Sequence, residues 1–202
     1  MKALLLAAGE GRRLGYHKML RSIAGRPMIF WTLDSLTAAG FLPNDIIVVI
    51  GYNSSKTEGV LKSYDASLNV VKNPDYKNEM FSSIKTGISF VPESCNHVLV
   101  ALGDQPLVKP ETIKAILEKG NPLKVVQPTY NGKRYHPLLI PRSLIEAIRR
   151  APIHFTLKDL MPPPEDRILI SVDDEGVALD VDTPDDLQRA EILLKARLKG
   201  LT

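Results

Sequence analysis

Apolar residues in this chain fall into two spacings. Short continuous runs, Leu4-Leu5-Leu6-Ala7-Ala8, Ile46-Ile47-Val48-Val49-Ile50 and His97-Val98-Leu99-Val100-Ala101-Leu102, alternate with stretches where they recur every three or four positions. Runs without polar alternation predict strands buried on both faces, as in a parallel sheet covered by helices. Met28, Ile29, Trp31, Leu33 and Leu36 have helical spacing and predict a helix over 28–39, with Gly40 as its C-cap. Further helices are predicted over 54–64, 81–91, 110–119 and 141–150, and shorter strands over 69–71 and 124–128. Ile168 to Val172 and Val177 to Val181 are expected to pair as a hairpin across Asp173-Asp174-Glu175-Gly176. Thr183-Pro184-Asp185-Asp186 reads as a helix start, with an N-cap, proline at N1 and two carboxylates at the positive end.

Strands alternating with helices predict an α/β fold: an open, mostly parallel sheet in a three-layer α/β/α arrangement. Ligands of such sheets sit beyond the carboxyl ends of the strands, which places Gly9, Gly51 and Asp104 on one rim. Residues 1–202 are expected to form one domain, with Pro162-Pro163-Pro164 as a surface loop near its end. Composition changes this picture little: 44% hydrophobic and 24% charged residues are ordinary for a globular chain. The formal charge of +3 suits a small anionic ligand and argues against a nucleic-acid partner. The lone Cys95 excludes an internal disulfide framework and a zinc cluster, and predicts a reducing, cytoplasmic compartment. No segment has the length of a membrane span or a signal-peptide core, so no membrane partner is expected.

The candidate chemistry begins where the first apolar run breaks. Gly9-Glu10-Gly11-Arg12-Arg13-Leu14-Gly15, followed by Lys18, is a glycine-rich loop carrying mobile positive charge. Glycines let backbone N–H groups approach an anion, and a following helix N-terminus would add its dipole. A P-loop fails, because Gly15 is followed by Tyr16 and not by Lys-Ser/Thr. A dinucleotide fingerprint is one residue out of register, since Leu14 stands where the third glycine belongs. Leu6, Gly9, Gly11, Arg13, Leu14 and Lys18 instead resemble the signature of nucleotidyltransferases that activate sugars, pterins and other phosphorylated acceptors. An ordinary strand-to-helix turn with solvated arginines is the alternative.

Two acidic motifs could complement that loop. Asp104 follows a buried strand, where packing gives no reason for a carboxylate. It could cap the turn before Pro106, or it could be a Mg²⁺ ligand, because that ion favours one or two carboxylates plus phosphate oxygens. Asp180 and Asp182 alternate and would share one face of a strand, an arrangement that is costly without a cation between them. Asp182 could instead assist the cap of the last helix.

In combination and order, LAAGEGRRLG with Lys18, Asn73-Pro74, MFSSIKTG at 80–87, GDQPL at 103–107, RYHPLLIP at 134–141 and DVDTPDDL at 180–187 resemble the molybdenum-cofactor nucleotidyltransferases, or MobA-like NTP transferases, above all their cytidylyltransferase branch. The resemblance implies a Rossmann-like nucleotidyltransferase fold. It implies that Leu6, Ala7, Ala8, Gly9, Gly11, Arg13 and Lys18 bind the triphosphate, with Gly51 on the same rim, and that Asn73, Ser82 and Ser83 line the nucleoside. Asp104 and Asp182, with Asp180 beside them, would hold Mg²⁺, and Arg13, Lys18 and Asp104 would carry the catalysis. Ala8 and Gln105 point to CTP over GTP. The implied acceptor is molybdopterin, met by Arg134 and His136, with the product delivered to a molybdoenzyme or its chaperone. Glu79 and Tyr135 replace family glycines, and Ala151-Pro152-Ile153-His154-Phe155-Thr156 replaces another family segment, so the acceptor pocket departs from the pattern. A sugar or polyol phosphate is the rival acceptor. An NAD-dependent oxidoreductase and a non-catalytic nucleotide sensor are the rival classes.

Overall fold

The computed structural model describes residues 1–15 and 17–200 of the chain. Strand β1 (Lys2–Ala7) leads through the glycine loop to a small antiparallel ribbon, β2 (Ser22–Ile23) and β3 (Arg26–Pro27), and then to helix α1 (Met28–Ala38). Next come β4 (Ile46–Ile50), α2 (Ser54–Tyr64), β5 (Asn69–Lys72), α3 (Met80–Ser89), β6 (His97–Leu102) and α4 (Pro110–Glu118). The chain continues through β7 (Val126–Tyr130), β8 (Lys133–Arg134), β9 (Leu138–Pro141), α5 (Arg142–Arg150), α6 (Leu157–Leu160), β10 (Ile168–Ser171) and α7 (Pro184–Leu198).

The main sheet has the order β10-β7-β9-β6-β1-β4-β5, with β8 paired to β7. Its neighbours are parallel except at β9, which runs antiparallel to both β6 and β7, and at β8, which runs antiparallel to β7. The apolar runs are continuous because both faces are covered, and alternate residues serve opposite layers. Ala3, Leu5, Ile46, Val48, Leu99 and Ala101 pack with α1, α4 and α7 residues such as Leu33, Ile116 and Leu194. Leu4, Leu6, Ile47, Val49, Val98 and Val100 pack with α3 and α5 residues such as Ile84 and Ile148. Helix α3 lies close enough to the sheet that a Cβ on Gly87 would collide with Leu4 and Val49. No helix of the described residues is long and apolar enough to cross a membrane.

The expected hairpin at 168–181 does not form. Strand β10 exists, but it pairs parallel with β7 at the sheet edge (Ile168 opposite Val126), and residues 175–178 make a short 3₁₀ turn. The cause is tertiary. The Asp174 carboxylate accepts from the Lys109 backbone N–H (2.8 Å), the Thr112 hydroxyl (2.7 Å) and the Gly176 backbone N–H (3.0 Å), fastening this turn to the start of α4. Gly176 lies against the Leu107 carbonyl with no room for a side chain. Val177 and Val181 are then fully buried in the core instead of paired on a ribbon. Strand β9 was also not foreseen, since Leu138-Leu139-Ile140 is too short a run to declare its pairing.

Candidate active site

Parallel strands β1, β4 and β6 end together, with Ala7 opposite Ile50 and Leu6 opposite Leu102. A cleft of about 610 Å³ opens beyond them, lined by the glycine loop, the start of α3, Asp104, His136, Asp180 and Asp182. A second hollow of about 660 Å³, between α4 and the 171–175 turn, is lined by none of the candidate site residues. Chemistry, not size, distinguishes the first.

The loop reaches its shape through two left-handed glycines, Gly11 (φ 69°) and Gly15 (φ 75°). A side chain on Gly11 would occupy the space of the Lys18 Cβ, so this glycine is what lets the chain fold back over Lys18. Arg21 locks the return by donating to the Leu14 carbonyl from both Nε (3.0 Å) and Nη2. No α-helix begins directly after the loop. Arg12–Leu14 and Lys18–Leu20 are single 3₁₀ turns, and α1 starts only after the β2–β3 ribbon. The helix dipole expected behind the loop is therefore absent from it, leaving backbone N–H groups and side-chain cations to meet an anion.

Those cations are held by acids from remote segments. Lys18, only 6% exposed, donates from Nζ to Asp104 Oδ2 (2.6 Å) and to Asp182 Oδ1. Arg13 Nη2 donates to Asp182 Oδ2 at 2.6 Å, while Arg12 pairs locally with Glu10 at 2.5 Å. Burial of the Lys18 ammonium opposes its charge, but Asp104 and Asp182 outweigh that and raise its pKa above the usual lysine value. Asp104 projects just after β6, where Gly103 N–H bonds the Leu6 carbonyl (2.9 Å) and Val181 N–H bonds the Asp104 carbonyl (2.9 Å). That second bond brings the 180–182 segment to β6. Asp180 is not on a strand. Its carboxylate accepts from the buried Gln105 amide (2.8 Å), and burial raises its pKa despite that bond. The helix cap is made by Thr183 and Asp186 in a reciprocal box, which leaves the Asp182 carboxylate to Lys18 and Arg13.

The opposite wall is organised locally, by hydrogen bonds between neutral groups. Asn73, 2% exposed, donates from its amide to Ser82 Oγ (2.9 Å) and Ser83 Oγ (3.0 Å) and accepts from Asp75 N–H (2.9 Å). Ser82 Oγ also lies 3.0 Å from the Asp75 carbonyl and 2.6 Å from that of Asn78. Asn73 and Ser82 thus shape the 73–79 loop from behind, and only Ser83 of the three reaches the cleft lining. Gly51 also lies behind that loop, because its Cα is packed against Tyr76 and the Ala8 carbonyl. Leu6, Ala8, Gly9 and Gly11 line the cleft, and Ala7 does not. Tyr76, Glu79, Met80 and Met19 line it as well. The sequence offered no chemical reason for Tyr76 or Met19 beyond their proximity to recognised motifs.

The expected acceptor pair is divided. Arg134, on β8, is exposed and outside the cleft lining, where β8 pairs with the end of β7. His136 lines the cleft, and its Nε2 is buried without a hydrogen-bond partner among the described residues. Burial pushes the His136 pKa down to about 4, against the pull of Asp104, so at neutral pH it is an uncharged imidazole and not a cation for phosphate.

No group of three or more His, Cys, Asp and Glu that could cage a metal forms among the described residues. The donor chemistry nevertheless fits a hard divalent cation. Two carboxylates converge on one positive charge, and Mg²⁺-like ions take one or two carboxylates and complete their shell with phosphate and water.

A doubly covered, mostly parallel sheet with a glycine loop and paired acids at its carboxyl rim defines a Rossmann-like nucleotidyltransferase architecture. The description "MobA-like NTP transferase domain" matches residues 3–168, and the chain belongs to that family. It is 26% identical over 194 residues to the molybdenum cofactor cytidylyltransferase of Escherichia coli, covering 93% of this chain and 94% of that one. It is 28% identical over 203 residues to the nicotine blue oxidoreductase of Paenarthrobacter nicotinovorans, covering 92% and 94%. The bifunctional protein GlmU of Zymomonas mobilis is 36% identical over 119 residues, which span 58% of this chain and 26% of GlmU. This chain thus matches about a quarter of the length of the GlmU relatives. The crystal structure of Rv0371c from Mycobacterium tuberculosis H37Rv superposes with a TM-score of 0.79 at 26% identity, covering 95% of this chain and 98% of that one. A structure of Rv0371c complexed with manganese superposes at 0.74 with 24% identity, covering 95% and 97%.

Proposed function

We propose that this chain transfers a cytidylyl group from CTP to a phosphorylated acceptor, with molybdopterin the first candidate, releasing pyrophosphate. The observation that carries the reading is the Asp104–Lys18–Asp182–Arg13 cluster beneath the glycine loop, which offers both signs of charge that a metal–triphosphate complex requires. The full-length similarity to a cytidylyltransferase supports the choice of base and acceptor.

An acceptor phosphate oxygen would attack the α-phosphorus in line, and the bond to the β-phosphate bridging oxygen would break toward pyrophosphate. The monoester is already anionic near neutral pH, so no side chain has to remove a proton. That accords with a neutral His136 and with the lack of a nucleophilic Ser-His-Asp arrangement among the candidate residues. The work left to the protein is alignment and charge stabilisation. Gly9 and Gly11 bring backbone close to the phosphates, while Arg13 and Lys18 stabilise charge on the α-phosphate and the leaving group. Asp104 and Asp182 would hold Mg²⁺ or Mn²⁺, which would supply neutralisation of the phosphate charge. A cytoplasmic setting and delivery of the product to a molybdoenzyme or its chaperone complete the proposal.

The test is pyrophosphate release with a divalent cation, molybdopterin and each of CTP, GTP, ATP and UTP. Release with CTP alone is the expected result. Release only when a sugar or polyol phosphate replaces molybdopterin would keep the reaction and change the acceptor. Tight triphosphate binding with no release on any acceptor would indicate a sensor. The nicotine blue oxidoreductase relative supports a second reading, hydride or electron transfer, which NAD(P)H oxidation in the same samples would reveal.

A further inference from the structure

In this cleft the groups suited to a triphosphate and the groups suited to a metal ion are each other's partners. The ammonium of Lys18 bridges Asp104 and Asp182, and Arg13 takes the remaining oxygen of Asp182. The arrangement is built and not incidental. Lys18 is buried at 6% exposure, and the positive φ of Gly11 exists to admit its Cβ beneath the loop. Arg12 next door pairs with Glu10.

Consider each ligand arriving alone. A divalent cation at Asp104 and Asp182 must displace the ammonium that bonds both carboxylates, so two positive charges would crowd one spot where Lys18 is buried. A triphosphate that drew Lys18 and Arg13 away would leave two bare carboxylates facing its own negative charge. When the two come together, the cation neutralises the carboxylates and releases the side-chain cations, and the phosphates receive them. Each ligand removes the obstacle to the other.

We propose that Lys18 is a coupling residue: it guards the Asp104–Asp182 pair against a lone divalent cation, and cation and nucleotide bind as mutually dependent ligands while Lys18 changes partner from carboxylate to phosphate. The inference rests on the nucleotidyltransferase reading of this cleft and goes beyond it. A shared cation could equally sit in an independent carboxylate site, indifferent to Lys18. Linkage requires the enhancement to be reciprocal, and couplings of this kind run from about 5-fold to 150-fold.

The experiment is Mn²⁺ binding, followed by the paramagnetic resonance of free Mn²⁺, with and without CTP, GTP, ATP or UTP and without acceptor, so that nothing turns over. In the unmodified protein the favoured triphosphate should tighten Mn²⁺ binding by about tenfold or more. In Lys18→Met, Mn²⁺ alone should bind about tenfold tighter than in the unmodified protein, and the enhancement by nucleotide should largely vanish. Arg13→Gln alters an exposed side chain that pairs with Asp182, and should raise cation-only affinity in the same direction by about threefold. A folded Lys18→Met that binds Mn²⁺ no tighter than the unmodified protein overturns the proposal. If that variant does not fold, unchanged cation affinity in Arg13→Gln overturns it. Normal nucleotide binding beside such a result would leave the function standing and remove only the coupling. Failure of every triphosphate to bind, with Mn²⁺ present, would remove both.

Discussion

The two walls of the cleft are held by different physics. On the loop wall, Lys18 and Arg13 find their partners on segments 86 and 164 to 169 residues away, and the contacts are ionic. On the 73–83 wall, Asn73, Asp75, Ser82 and Ser83 satisfy one another within ten residues, and the contacts are neutral hydrogen bonds. The first wall assembles only when the sheet is complete, and its charges can be reassigned to a ligand. The second is a self-contained loop former whose described hydrogen bonds fix the shape of the site without ion pairs. Mutations in the two walls should therefore separate chemistry from architecture.

The largest effect is expected on the ionic wall. Asp104→Ala should lower turnover about 10²- to 10³-fold, as loss of a preorganised charged partner does, with an unchanged far-ultraviolet circular dichroism spectrum. Full turnover in a folded Asp104→Ala protein would place the chemistry elsewhere.

His136 sits between the walls and offers a pH test. Its folded pKa of about 4 lies below the ordinary value of 6.5, so from pH 6.5 downward the unfolded chain takes up a proton that the folded chain refuses. Stability should fall as the pH drops through that window and level off below about 4. Between pH 7 and 4.5 the difference corresponds to about 2–3 kcal/mol, and His136→Gln should remove it from urea denaturation curves. An identical pH dependence in both proteins would mean that the imidazole is not buried as described.

On the 73–83 wall, Asn73→Ala removes the amide donor to the Ser82 and Ser83 hydroxyls and the acceptor of the Asp75 N–H. It should cost about 1–2 kcal/mol in denaturation free energy and raise KM for nucleotide more than it lowers kcat. A collapse of kcat with KM unchanged would make Asn73 part of the chemistry. The smallest effect belongs to Thr183→Ala. Loss of this N-cap should cost about 1 kcal/mol, seen as a lower Tm, with turnover preserved because Asp182 stays on the cleft side of the cap.

Much of the ionic wall was legible beforehand, and the reason is chemical. A carboxylate such as Asp104 after a buried strand, or arginines in a glycine loop, has no role in packing, so its presence points to a ligand. Asp182 was ambiguous between cap and site until Thr183 and Asp186 were seen to complete the cap by themselves. The 73–83 wall was harder. Ser82 and Ser83 look alike in sequence, yet only Ser83 lines the cleft, because the direction of each hydroxyl follows from how α3 meets Asn73. Arg134 shows the same limit, since only Tyr135 separates it from His136, yet on β8 it is exposed and outside the cleft lining.

The alternation of buried runs and helical spacings determined the α/β layers by itself, because a residue's need to leave water depends little on its distant neighbours. Likewise Gly11, Thr183 and Pro184 act through local backbone geometry and could be read directly. Only the tertiary structure decided that β10 joins β7 instead of folding back, that β9 enters the sheet antiparallel, and that Lys18 lies between Asp104 and Asp182. Pairing is a choice among partners. An edge hydrogen bond or a carboxylate accepts several equally well in isolation, and the closed core is what leaves one of them within reach.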